Sequence, residues 1–181
     1  MNRQVILTAG HSIEESGAVG YINESEETIV LRDLLARRLK VFHGIDVKTD
    51  LDTMSLNGVV SWIKKIINNT DIVIDIHFNA LAKDKASGVE VLVSSDGEIE
   101  RPMAEEICET TANVLGIKNR GVKGEAKGHH SKLAMLSNFQ AEQMIYEVCF
   151  CDNKKDCQSY DVHKEELVRK LACVIAKYAK E

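Results

Sequence analysis

The chain has 181 residues, 44% of them hydrophobic, which is enough to bury a core without disulfides or a structural metal. Its 23 Lys and Arg against 28 Asp and Glu give a net charge of −5, which argues against tight binding to nucleic-acid phosphates or to an anionic membrane surface. No apolar run approaches the ~20 residues of a transmembrane helix, and the one in MNRQVILTAGHS is too short for a secretory h-region.

Gln4 to Ala9 (QVILTA) reads as a short buried strand closed by Gly10. From Glu24 to about Val41, Val30, Leu31, Leu34, Leu35 and Leu39 fall at helical spacing. Asn23 suits the N-cap, and Glu24, Glu26 and Glu27 favour the first turn. Gly44 ends that helix, and Ile45 to Thr49 reads as a strand. Val59 to Ile67 is a second helix, with Trp62, Ile63, Ile66 and Ile67 inward. Asp71 to His77 and Gly88 to Val93 are strands. Arg101 to Leu115 is a helix with Pro102, the chain's single proline, near its start, where proline is tolerated. Lys132 to Leu136 reads as a short strand, Gln143 to Phe150 as a longer one, and Lys164 to Tyr178 as a last helix. With no linker or repeat, the expectation is one α/β domain over 1–181: a mostly parallel (mixed) twisted sheet of about six strands, with helices on both faces.

Three of these strands end in a residue that a core disfavours: VILTAG in His11, DIVIDI in His77 and QMIY in Glu147. Open α/β sheets bind ligands outside the carboxyl ends of their strands, so a shared edge would bring the three together. Two histidines with carboxylates suit a catalytic zinc, which takes three protein ligands and leaves a position for water. The metal lowers that water's pKa from ~15.7 to about 7. A nearby carboxylate that does not ligate can then carry its proton to a leaving group. Spacing alone leaves open the alternative that each histidine is a hydrogen-bonded structural residue, because no HExxH-type local motif is present.

AGHSIEESGAVG resembles the first metal motif of the zinc-dependent N-acetylmuramoyl-L-alanine amidases of the amidase-3 type. DIHFNA resembles their second motif, ASGVEVLV the strand that follows it, and NRGVK a segment common among them. YEVCFCDNKKD resembles the catalytic glutamate strand in its phage-endolysin form. These motifs stand in family order over nearly the whole chain. The resemblance implies a Zn²⁺ enzyme that cleaves the amide between N-acetylmuramic acid and L-alanine in bacterial peptidoglycan. By position it implies His11 and His77 as metal ligands, Glu147 as general base and Asn79 as a substrate-binding or ring-orienting residue. The family's third ligand is a glutamate at the start of the first long helix, followed at seven and eleven positions by apolar residues. From Glu24 these are Leu31 and Leu35, from Glu26 Asp33 and Arg37, from Glu27 Leu34 and Arg38. Glu24 is therefore favoured, with Glu27 in reserve. GHS stands where many bacterial members have GHGG, and Cys149 where glycine is frequent.

The rival readings are a catalytically silent peptidoglycan-binding module and a zinc peptidase that cuts the stem peptide. The absent signal implies synthesis in the cytoplasm, with reduced thiols and access to the wall by holin-type release or lysis. That would suit an endolysin or an autolysin. A monomer is the default, although the sequence does not fix the oligomeric state. Asp75 shares a sheet face with His77, and a backbone amide is its expected partner. His129 and His130 belong to a Gly- and Lys-rich loop, and as neighbours they are poor co-ligands on a strand. Lys123, Lys127 and Lys132 read as solvated. Cys149, Cys151 and Cys157 lack the CxxC spacing of a zinc site and read as buried small hydrophobes; a cysteine nucleophile has no local signature.

Overall fold

The protein is described from a computed structural model that covers residues 2–94, 100–124 and 133–181. His129, His130, Lys127 and Lys132 lie outside the described residues. In chain order the elements are β1 (Val5–Ala9), α1 (Glu24–Arg38), β2 (Val47–Thr49), α2 (Leu56–Ile66), β3 (Ile72–Asn79), β4 (Val89–Val93), α3 (Arg101–Leu115), β5 (Asn119–Gly124), α4 (Ala134–Ser137), β6 (Glu142–Phe150) and α5 (Lys154–Ala179). Six strands form one sheet in the order β2-β1-β3-β6-β4-β5. β2, β1, β3 and β6 run parallel, β4 is antiparallel to β6, and β5 is parallel to β4.

Side chains alternate between the two sheet faces, and each face meets its own set of helices. On one face Val5, Leu7, Ile72, Ile74, Ile76, Met144 and Tyr146 pack against α1, α3 and α5. On the other, Ile6, Val73 and Ile145 pack against Val59, Val60 and Ile63 of α2 and Met135 and Leu136 of α4. Helices thus cover both faces of a mixed, mostly parallel sheet, and a strand buried on both faces must be apolar throughout. The five residues of β1, all buried, are an example.

Helix α1 begins where Asn23 accepts a hydrogen bond from the Ser25 amide. Leu31 and Leu35 of its buried stripe are at most 1% exposed, and the stripe leads back to the buried Glu24. The α-helical hydrogen bonding gives way at Leu39 to a π-turn (Leu39–His43), which Gly44 closes at a left-handed φ of 67°.

Two expectations need correction. The segment expected as a strand over Lys132 to Leu136 instead carries helix α4. β6 already has β3 and β4 as neighbours, and the adjacent side chains Met135 and Leu136 both reach the same core, which a helical turn permits and a strand does not. Helix α5 begins ten residues before the expected Lys164, capped by Asn153, which accepts from the amides of Lys155 and Asp156. Its early inner face is Asp156, Cys157 and Tyr160, whose polar atoms mask the apolar period.

Candidate active site

His11 follows the end of β1, Glu24 opens α1, and His77 lies near the end of β3. The His77 Nδ1 is 3.0 Å from Glu24 Oε1, and the His11 Nε2 is 3.4 Å from Glu24 Oε2. One donor atom from each residue lies within 4.8 Å of the other two. Ligand bonds of about 2.0–2.1 Å in a tetrahedron place donors roughly 3.4 Å apart, so this spacing suits a zinc-sized ion. Backbone amides hold the carboxylate: Phe78 N–H donates to Oε1 (3.1 Å) and Ala18 N–H to Oε2 (2.8 Å). Two glycines make room. A Cβ on Gly10 would collide with the His77 ring. On Gly17, at φ 62°, it would lie 2.5 Å from His11 Cδ2 and 2.6 Å from Glu24 Oε2.

Asp75 does not rest on a backbone amide as expected. It accepts from the Thr8 hydroxyl (2.6 Å) and faces the His77 Nε2 at 3.1 Å. His77 therefore lies between two carboxylates. Burial alone would lower its pKa, but Asp75, Glu24 and Glu147 raise it well above the usual imidazole value. For Glu24, burial would raise the carboxyl, but the His77 hydrogen bond and the backbone donors outweigh it and hold the group below its ordinary range. In the metal-free chain this edge stores protons. A carboxylate on the far nitrogen is also the arrangement that orients a metal-ligating imidazole.

Glu147 pairs in register with His77 across β3 and β6, on the same sheet face. Its Oε2 is buried and has no hydrogen-bond partner among the described residues. Burial raises its carboxyl to about 7; the charge of His77 opposes this, while Glu24, Glu90 and Asp75 add to it. A general base at neutral pH needs a group in that range.

Glu27 is not part of the constellation. It pairs with Lys164 at 2.6 Å, one helical turn on from Glu24. Asn79 is the last residue of β3: its carbonyl accepts from the Cys151 amide, and its Nδ2 donates to Glu90 Oε1 at 2.9 Å. Lys123 is exposed, as expected, and is also ion-paired with Glu90, as is Arg120. Burial would raise Glu90, but these two cations hold it below the usual carboxylate range. Cys149, Cys151 and Cys157 are buried and free. Burial raises Cys151 to about 11 and Cys157 to about 12, and holds Cys149 well above the ordinary thiol value. A thiolate nucleophile has no support there.

Glu90, Arg120 and the two glycines were not singled out from the sequence. The signal for Glu90 was present: one carboxylate inside VEVLV, the same anomaly that marked His77 in IVIDIHFN.

A mixed α/β sheet thus carries His, Glu and His converging at a strand-end edge, with a glutamate one strand away whose Oε2 has no hydrogen-bond partner among the described residues. The chain belongs to the N-acetylmuramoyl-L-alanine amidase family Amidase_3, whose model matches residues 5–177. It is 29% identical to a candidate N-acetylmuramoyl-L-alanine amidase from Neisseria meningitidis, with a TM-score of 0.80 over 97% of this chain and 94% of that one. It is 25% identical to the catalytic domain of an endolysin targeting Clostridium difficile, with a TM-score of 0.78 over 97% of each chain. An uncharacterized protein of Clostridium perfringens (strain 13 / Type A) is 29% identical over 93% of this chain, which spans 50% of that relative's length. No helix among the described residues is long and apolar enough to cross a membrane.

Proposed function

We propose that residues 1–181 form a zinc-dependent amidase catalytic domain that hydrolyses the bond between N-acetylmuramic acid and L-alanine in peptidoglycan. The observation that carries this reading is the convergence of His11, Glu24 and His77 beside Glu147, whose buried Oε2 has no partner among the described residues. The donor set, its spacing and the glycine clearance all suit Zn²⁺. His11, Glu24 and His77 would hold the ion. When bound, it supplies Lewis acidity toward the amide carbonyl and a water acidified to about pH 7. Asp75 fixes the His77 ring, so that Nδ1 faces the ligand cluster. Glu147 takes the proton of the attacking water and delivers it to the departing L-alanine nitrogen, serving first as base and then as acid. Asn79 braces Glu90 at the substrate side of the site. An endolysin-like or autolysin-like role in wall degradation follows from the same reading.

The test is a digest of purified peptidoglycan with end labelling, with and without a chelator. New L-alanine amino termini, no new reducing sugar ends and loss of activity on chelation are expected. New amino termini on other residues would make the protein a stem-peptide peptidase. No new ends from several wall types, with zinc bound, would leave a silent binding module.

A further inference from the structure

Arg120 and Lys123 are three residues apart on β5 and would point to opposite faces of a regular strand. Both nevertheless reach the same oxygen, Oε2 of Glu90. The register explains this: Val89 pairs with Asn119 but Val91 with Val122, so Arg120 and Gly121 together oppose the single residue Glu90. Gly121 takes the extra position at φ 77°. This is a β-bulge, a device that re-aims side chains. Glu90 itself is the register partner of Glu147 across β4 and β6. His77, Glu147 and Glu90 therefore form a row over three neighbouring strands, and the two cations close it from the fourth.

The cluster is assembled, yet it remains open to solvent. Glu90 is 7% exposed, whereas the Arg120 and Lys123 side chains are 28% and 43% exposed. Arg120 uses Nε toward Glu90 and lies over the Phe150 ring at 5.0 Å. Its two terminal nitrogens have no hydrogen-bond partner among the described residues. Two cations against one carboxylate leave a positive excess, and a fixed guanidinium with both terminal N–H groups free suits a bidentate carboxylate.

We infer that Arg120 and Lys123, aimed by the Gly121 bulge, form a carboxylate subsite that reads the second residue of the stem peptide, and this rests on the amidase reading above. That residue is a glutamate joined through its side chain, so its α-carboxylate is either free or amidated. Extended chain advances ~3.3–3.6 Å per residue, which places this group roughly 7 Å from the scissile nitrogen. One strand spacing of ~4.8 Å separates Glu147 from Glu90, and the cations lie just beyond. The reach of the substrate's free carboxylate thus matches the distance to this end of the row.

The experiment uses glycan strands whose stem peptides are identical except for a free or amidated α-carboxylate at the second residue. Cleavage by the zinc-loaded protein is followed through new L-alanine amino termini. The wild type is expected to favour the free carboxylate about tenfold or more in kcat/KM, the range of a charge-assisted hydrogen bond. Arg120→Gln should bring that ratio to within about twofold of one, and Arg120→Lys should restore part of it. Equal wild-type cleavage of both strands would overturn the subsite and leave the amidase reading intact. Arg120→Gln slowing both strands equally, with the preference kept, would also overturn it, because that is the signature of a structural role. Cleavage of neither strand by the wild type would remove the amidase reading and the subsite with it.

Discussion

The two faces of the sheet differ in cover. Three long helices, α1, α3 and α5, seal one face from end to end, and the side chains beneath them are apolar. On the other face α2 and the short α4 cover the middle of the strands, over Ile6, Val73 and Ile145. On that same face each strand then continues into polar residues: Thr8 after Ile6, Asp75 and His77 after Val73, Glu147 after Ile145, and Glu90 on β4 opposite Glu147. One strand thus serves core and site together through its alternation of side chains. The chemistry rests on backbone fixed by a sealed face behind it, as a site that must hold its geometry within a fraction of an ångström requires.

The sharpest way to break this comparison is to alter the open face alone. Glu147→Gln keeps the shape and removes the base, so activity should fall about 10²- to 10⁴-fold. Zinc content by elemental analysis and the thermal midpoint should stay close to wild type; retained activity would remove Glu147 from its role. Altering the sealed face should do the opposite. Leu31 is fully buried on α1, and Leu31→Ala should cost about 2–5 kcal/mol in denaturant unfolding while activity per folded molecule is kept. A change in kcat without a change in stability would show that the faces are not independent in this way.

A smaller effect is expected at the carboxylate behind the His77 ring. Asp75→Asn should weaken zinc binding about 10- to 100-fold in competition with a chromophoric chelator. The paired control is Glu27→Gln. Glu27 faces Lys164 rather than the histidines, so its loss should leave zinc affinity within about twofold of wild type. Equal losses in the two variants would reopen the choice between Glu24 and Glu27.

The same contrast explains what could be read from the sequence. Strands buried on both faces wrote themselves as apolar runs, and a polar residue at the end of such a run, as in His11, His77 and Glu147, marked the edge where cover stops. Leu31 and Leu35 pointed back to Glu24 through the resemblance, whose pattern sets apolar residues seven and eleven positions after the glutamate ligand. Glu90 was equally anomalous in its strand, but its partners arrive through a bulge that no periodicity encodes. Arg120 and Lys123, three apart in NRGVK, would fall on opposite faces of a regular strand, and the bulge at the left-handed Gly121 turns them to one side. Asp75 was placed on the correct face, but its partner Thr8 belongs to a strand 67 residues earlier, a pairing set by sheet order. Helix α4 was read as a strand because four apolar residues in a row carry no period of their own.

The smallest expected effect lies in the pH dependence of the metal-free fold, and it separates the two faces without a substrate. Glu147 is raised to about 7 from an ordinary carboxyl value of 4.5. Its protonated form is therefore favoured by folding, and the stability this gives is present below pH 4.5 and lost as pH rises through about 7. His77 is raised well above 6.5 by Asp75 and Glu24, so its contribution is present below pH 6.5 and is also lost as pH rises. Both groups slope the same way. In excess chelator the thermal midpoint should fall between pH 5.5 and 8, and Glu147→Gln should flatten part of that fall. Leu31→Ala should shift the whole curve down and leave its slope in place, because it removes no titrating group. Zinc competes with the protons on His77, so adding it should raise the midpoint more at pH 8 than at pH 5.5. A midpoint that rises with pH in chelator would mean that the proton-storing edge is absent from the metal-free chain.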